Sequence, residues 1–281
     1  MTPVTVRSID ETRRAVSAAR AAGRAVGLVP TMGFLHEGHL SLIRVAREAG
    51  ADFIVVSIFV NPRQFGPNED LERYPRDEAR DRQLLARENV DLIFMPPVEV
   101  MYPPGATTSI SVGAVAKPLE GERRPGHFEG VATVVMKLFD IVQPDLAVFG
   151  RKDAQQCAVI DRLVHDLDVP VRLVFGETLR EHDGLAMSSR NSYLSPEERK
   201  IAPVLHRALR AGEEALLRGV KDVEKIMRRV VAETPDVSVD YLALVDPLTF
   251  APPADFNRDL LLVGAVRVGK TRLIDNVRVT R

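Results

Sequence analysis

The sequence predicts an α/β fold: a Rossmann-like parallel sheet with helices on both faces, plus a smaller C-terminal α+β domain. Three observations carry this reading. An apolar run at Ala25–Val29 is followed by a helix-like stretch, Leu40–Ala49, and by a second apolar run, Asp52–Val60. Strand, helix, strand in that order gives a right-handed crossover and a parallel pair. The apolar runs are nearly unbroken, the pattern of strands covered on both faces. Beyond about residue 180 the alternation stops, and two helical patterns precede three strand-like ones, as in a separate α+β domain. The expected division is residues 1–180 and 181–281.

The elements follow in order. Ser8 and Glu11 form a capping box for a helix over about Asp10–Ala22, closed by Gly23. After the first two strands, Tyr74-Pro75-Arg76-Asp77 opens a helix with proline near its first turn. Val90–Phe94 reads as the third strand. Pro96, Pro97, Pro103 and Pro104 mark a long loop, and Thr107–Val112 reads as a short edge strand. Val131–Val142 is an apolar helix, Asp145–Phe149 the next strand, and Val169–Phe175 the last of the main sheet. Ser195-Pro196-Glu197-Glu198 caps a long helix reaching about Arg218. A second helix spans about Asp222–Ala232, and strands are expected at Tyr241–Val245, Leu260–Val266 and Thr271–Val279.

Composition narrows the function. The 281 residues are 45% hydrophobic and 27% charged with a formal net charge of −1. That is ordinary for a soluble globular protein and gives no basic field for nucleic acid or anionic membrane. The single cysteine, Cys157, suits a reducing, cytoplasmic setting. No signal-like apolar core opens the chain, and the longest apolar run, Phe53–Val60, is too short to span a bilayer.

The polar residues that stand out follow strands. His36 and His39 lie where the first strand hands over to a helix, the edge of a parallel sheet where ligands bind, and a helix N-terminus suits phosphate. Their order, His-Glu-Gly-His, does not match the zinc-protease pattern. Asn61 and Gln64 follow the second strand; turn chemistry explains Asn61 but not Gln64. Asp81 on a charged helix reads as a solvated carboxylate. Arg123, Arg124 and His127 make a basic cluster that fits a solvated loop as well as a binding site. Gly150 permits close backbone approach, Lys152 suits phosphate, and Asp153 fits either a helix cap or a ribose contact. Ser188, Ser189 and Arg190 fit a triphosphate loop or an ordinary helix entry. Gly264–Thr271 formally matches a phosphate-loop pattern, but the residues after it are β-like, so a hairpin turning near Gly269 is expected instead.

The sequence resembles a known family at these same places. His36-Glu37-Gly38-His39 resembles the HIGH signature of the adenylate-forming nucleotidyltransferases. The longer stretch from Pro30-Thr31-Met32-Gly33 to His39 is similar to the pantothenate synthetase (pantoate–β-alanine ligase) family. Asn61-Pro62-Arg63-Gln64-Phe65, Arg124-Pro125-Gly126-His127-Phe128 and Phe149-Gly150-Arg151-Lys152-Asp153-Ala154-Gln155-Gln156 match further motifs of that family. Met187-Ser188-Ser189-Arg190-Asn191 looks like its form of the KMSKS loop. The resemblance implies a nucleotide site of Met32, His39, Gly150, Lys152, Asp153, Leu179, Met187, Ser188, Ser189 and Arg190. It implies catalytic roles for His36, His39, Lys152 and Arg190. It also implies pantoate contacts from Gln64 and Gln156, with further substrate contacts from Asn61, Tyr74 and His127. Asp81 matches a magnesium-contacting aspartate; many relatives carry a second acid where this chain has Arg80.

The reaction so implied is ATP-dependent formation of pantothenate from pantoate and β-alanine through a pantoyl adenylate, with Mg2+ accompanying ATP, and with AMP and pyrophosphate released. The C-terminal domain is expected to act as a lid. A homodimer is expected by resemblance, with no nucleic-acid or membrane partner. Two rivals stand beside this: a sibling transferase acting on a phosphate acceptor, and an RNA-binding module, against which the near-neutral charge argues.

Overall fold

The computed structural model describes residues 2–67 and 69–280. They form two compact units, Met1–Arg151 with Val159–Glu177, and Lys152–Ala158 with Thr178–Arg281. The strands of the main sheet are β1 Val4–Val6, β2 Val26–Thr31, β3 Phe53–Ile58, β4 Leu92–Phe94, β5 Leu146–Gly150 and β6 Arg172–Gly176. The helices over the same stretch of chain are α1 Ile9–Ala21, α2 Glu37–Glu48, α3 Glu78–Arg87, the short α4 Val98–Met101 and α5 Glu120–Arg123, α6 His127–Val142, and α7 Ala154–Asp166.

The sheet order is β1-β4-β3-β2-β5-β6, and every pairing is parallel. From β2 the chain builds outward through β3 and β4, then returns to add β5 and β6 on the other side of β2. That reversal is a topological switch point, and it puts the carboxyl end of β2 beside the crevice where such sheets bind ligands. Helix α2 follows β2 and buries Leu40, Ile43 and Ala46, spaced three apart on one face, among Val29, Ile54, Val56 and Val148. Its Leu42 seats against Gly150 and Gly176, where a Cβ on Gly176 would lie 2.4 Å from the Leu42 Cδ2.

Two details of this unit differ from the sequence expectation. Strand β1, only three residues long, pairs with β4 at the sheet's edge. The stretch 107–112 is not a strand. Its polar groups find side chains instead of a neighbouring strand: Arg63 donates to the carbonyls of Ala106 (2.7 Å) and Thr108 (3.0 Å), and the Ile110 N–H donates to Thr133 Oγ1 (2.9 Å).

The second unit contains α8 Pro196–Ile201, α9 Val204–Leu217, α10 Val223–Ala232, and an antiparallel sheet of β7 Val237–Val245, β8 Leu260–Val268 and β9 Thr271–Val279. The capping box at Ser195 and Glu198 is present. The single long helix expected after it is two helices, because Pro203 lacks the N–H that would continue the ladder and caps α9 instead. Leu205, Leu209, Leu216, Met227, Leu262 and Val266 form the core of this unit. The β8–β9 turn falls at Gly269, whose φ is +56°, and Thr271 starts a strand. The phosphate-loop pattern is therefore a hairpin, as expected.

Helix α6 lies on the 3-10 turn Pro62–Gln64 through Gly130, where an added Cβ would sit 2.2 Å from the Arg63 carbonyl oxygen. Backbone cannot yield there as a side chain can. Gly130→Ala is expected to destabilise the protein by about 1–3 kcal/mol, read as a lowered urea midpoint. An unchanged midpoint would show that the turn moves freely.

Candidate active site

The loop from β2 to α2 is fixed residue by residue. The Thr31 hydroxyl donates to the Ser57 carbonyl (2.8 Å) and accepts the Gly33 N–H (3.2 Å). Gly33 and Phe34 both have positive φ, +84° and +50°. The non-glycine Phe34 is held in that conformation by Asp81, whose Oδ2 accepts the Phe34 N–H (2.8 Å) and whose Oδ1 accepts the Leu35 N–H (2.7 Å). Arg80 donates to the Leu35 carbonyl (2.8 Å) and lies over the Phe34 ring. The next N–H, that of His36, donates to Nδ1 of His39 (3.3 Å). Three consecutive amides thus have assigned acceptors.

This pattern settles a chemical point. A ring nitrogen that accepts cannot carry the proton, so neutral His39 is protonated on Nε2 and offers Nε2–H as a donor. His36 is the extended residue capping α2, and the two imidazole rings lie 4.0 Å apart. Both histidines stand at the first turn of a helix, where backbone N–H groups and the helix dipole favour an anion.

Asn61, Gln64 and His127 are brought together too, in graded roles. Asn61 is 1% exposed. Its Nδ2 donates to Gln64 Oε1 (3.1 Å) and to the Gly130 carbonyl (3.0 Å), while its Oδ1 accepts from the Arg63 N–H (3.2 Å) and the Tyr102 hydroxyl (2.9 Å). With both donors and both lone pairs engaged within the protein, Asn61 holds the side chain of Gln64 in place. The amide of Gln64 is thereby fixed with Nε2 outward, 3.1 Å from the Met32 sulfur.

His127 is engaged on both ring nitrogens. Its Nδ1 donates to the Gln64 carbonyl (2.9 Å) and its Nε2 faces Arg124 Nη1 (3.0 Å), which donates to it. Arg124 in turn grips both oxygens of Glu69 (2.7 and 2.8 Å). Burial, reinforced by the Arg124 charge, pushes the imidazole down from 6.5 to about 4, so it is neutral at pH 7. Tyr74 is buried edge-on against Phe65, 5.9 Å between ring centroids. Sequence reasoning missed Tyr102, Glu69 and the loop contact of Arg80, whose partners lie 41–55 residues away. No local spacing signals such pairs.

The environment of Asp81 does not fit direct metal coordination. The carboxylate is 1% exposed with each oxygen on a backbone N–H, and burial pushes its pKa up against the pull of those two bonds. The acids next to it are engaged: Asp77 caps α3 and Glu78 pairs with Arg7 (2.8 Å). A cavity of about 270 Å³ beside Asp81, Gly33 and Ile58 includes these same acids. Among the described residues no cluster of three His, Cys, Asp or Glu is gathered for a metal.

The second unit carries the remaining candidates. Gly150 itself ends β5, and the turn Arg151–Asp153 leads into α7. Lys152 is one-fifth exposed with Nζ 3.6 Å from Asp153, and Gln156 is half-buried one turn on. Residues 179–187 form a tight hairpin: the Met187 N–H donates to the Leu179 carbonyl (3.0 Å) and the Glu181 N–H to the Leu185 carbonyl (2.8 Å). It delivers the chain into Ser188, whose hydroxyl accepts the Arg190 N–H (3.3 Å), and into the buried Ser189.

Comparison with known proteins decides the family. A family model described as pantoate-beta-alanine ligase matches residues 4–278. The chain belongs to the pantoate-beta-alanine ligase family. It is 51% identical over 275 residues to the pantothenate synthetase of Moorella thermoacetica, covering 97% of both chains. It is 53% identical over 273 residues to that of Gluconobacter oxydans, covering 96% of this chain and 98% of the other. The crystal structure of the Thermus thermophilus pantothenate synthetase superposes with a TM-score of 0.94 at 49% identity over 99% of each chain. That of the Francisella tularensis pantoate-beta-alanine ligase, complexed with beta-gamma ATP and beta-alanine, gives 0.79 at 33% identity, covering 98% and 97%. Membership carries the ligase activity and the two-part fold that the sequence led one to expect.

Two residues of this candidate site give direct tests. Asp81→Asn leaves only one accepting atom for two amides, so kcat is expected to fall about tenfold or more through misplacement of the histidine loop, with the half-activating Mg2+ concentration unchanged. A large rise in that concentration would restore a metal contact. His127 concerns acid stability. Its folded pKa lies below the unfolded one, so the unfolded state binds the extra proton and stability falls as pH drops from 6.5 toward 4. The loss is on the order of 3 kcal/mol, and His127→Gln is expected to flatten that part of the profile in urea melts between pH 7 and 4.

Proposed function

We propose that the chain joins pantoate to β-alanine by ATP-dependent amide formation in two steps, ATP being consumed in the first. A pantoate carboxylate oxygen attacks the α-phosphorus of ATP, forming pantoyl adenylate and expelling pyrophosphate. The β-alanine amine then attacks the acyl carbon, the C–O bond to phosphate breaks, and pantothenate and AMP leave. Such chemistry needs positioning and charge stabilisation rather than a protein nucleophile.

The observation that carries this reading is the His36 amide donating to Nδ1 of His39 (3.3 Å), which leaves Nε2–H of the neutral ring as a donor at a helix N-terminus. In this proposal His36 and His39 stabilise the charge that develops on the α-phosphate. Lys152 and Arg190 neutralise the polyphosphate, with Ser188 and Ser189 as further phosphate donors. Gly150, Asp153, Leu179, Met187 and Met32 enclose the nucleotide, and Gln64 and Gln156 hold pantoate. Gln64 suits a hydroxy acid because Asn61 leaves it donating. Mg2+ is part of the ATP complex, held by phosphates and water. Residues 1–180 bind nucleotide and pantoate while 181–281 act as a lid that keeps water from the adenylate. A cytoplasmic homodimer free of nucleic acid and membrane completes the reading; among the described residues no helix is long and apolar enough to cross a membrane.

The test is mass spectrometry of the purified protein with Mg-ATP and pantoate. Pantoyl adenylate is expected without β-alanine, replaced by pantothenate and AMP when β-alanine is added. His39→Ala, folded by circular dichroism, is expected to lose adenylate formation by about a hundredfold or more. No ATP consumption with pantoate would overturn the acceptor, and full activity in His39→Ala would remove that histidine from the chemistry.

A further inference from the structure

The last strand holds a buried polar pair that the reaction scheme above does not use. Asp275 and Asn276, consecutive on β9, are 5% and 9% exposed. Asp275 receives a bidentate grip from Arg180, Nη1 to Oδ2 (2.7 Å) and Nη2 to Oδ1 (3.0 Å). The same guanidinium donates to the carbonyls of Asn276 (3.1 Å) and Gly184 (3.0 Å). Arg180 thereby ties the hairpin 179–187 to β9 at three acceptors, and braces the hairpin itself at the Gly184 carbonyl, using the planar fork that lysine lacks. The hairpin's tip is seated as well: Gly184 has φ +91°, and a Cβ on it would meet the His206 ring at 2.4 Å. From Met187 the chain runs directly into Ser188, Ser189 and Arg190, and Asn191 Nδ2 donates back to the Ala186 carbonyl (3.0 Å). Asn276 acts on a different segment, its Nδ2 donating to the backbone carbonyl of Lys152 (3.0 Å).

We propose that Asp275 and Asn276 are positioning residues of the ligase reaction, fixing from one strand both segments that bear its phosphate-binding cations: Arg180 and the 179–190 stretch through Asp275, and Lys152 through Asn276. This rests on the assignment of Lys152, Ser188, Ser189 and Arg190 to ATP made above. A buried Arg–Asp pair is weak as a source of stability, because desolvating both charges offsets their attraction. Geometry is what it supplies: two cations placed from adjacent residues of one rigid strand are placed relative to each other.

The test separates positioning from mere folding. Arg180→Lys keeps the charge and loses the fork; Asn276→Ser leaves the Arg180–Asp275 pair intact and withdraws the donor from Lys152. Initial rates of the full chain with Mg-ATP, pantoate and β-alanine give each KM and kcat. Both variants, folded by circular dichroism, are expected to raise the ATP KM about tenfold while the β-alanine KM stays within about twofold. Asn276→Ser keeps the test open should Arg180→Lys not fold. Wild-type ATP KM in folded variants, with only a lowered melting temperature, would reduce the pair to a structural role and overturn the proposal. An inactive wild-type control would overturn the ATP assignment itself, and this inference with it.

Discussion

The carboxylate of Asp81 is the fixed point of the ligand edge. One buried side chain accepts the amides of Phe34 and Leu35, and the amide after them turns to His39. Remove it and Phe34 has no reason to keep a positive φ, α2 has no defined entry, and the tautomer of His39 loses its cause. The desolvation that raises the Asp81 pKa is the cost of placing an acceptor deep enough to reach a loop from the helix beside it.

The same logic recurs at Gln64. The Gln64 side chain and backbone are held by buried polar partners: Asn61 on its carbonyl oxygen, and His127, Arg124 and Glu69 on the turn beneath. His127 can serve there because burial keeps it neutral, with one nitrogen donating and the other accepting. At this edge of the sheet, half-buried polar side chains rest on buried polar groups that fix their orientation. Parallel strand order favours this arrangement, since β2 and β3 end at the same level and their following loops meet without long excursions.

The fold was legible wherever periodicity and length agreed. Ala25–Val29, Asp52–Val60 and the apolar helix after His127 are long, one-sided or fully buried patterns, and they lie where the spacing placed them. Val4–Val6 was too short to stand out. Thr107–Val112 has strand-like composition, but Arg63 and Thr133 satisfy its backbone from across the fold, which local sequence cannot foretell. Motif matching located the histidines, Gln64 and the Lys152 and Ser188–Arg190 segments. It could not show which of these side chains the fold itself engages. Asn61, His127 and Asp81 sit inside or beside recognisable motifs, and each is engaged by the protein's own backbone or side chains. That distinction depends on hydrogen-bond partners tens of residues away.

The tautomer of His39 is the quantity to measure, by long-range 15N–1H NMR on histidine-labelled protein near pH 7.5, with His39→Gln for assignment. A proton on Nε2 and an accepting Nδ1 are expected, and in Asp81→Asn a shift toward mixed tautomers as the loop loosens. A proton on Nδ1 of His39 in the wild-type protein would contradict the role given to this loop, because the His36 amide could then not be donating to that nitrogen and the donor would not face the ligand edge.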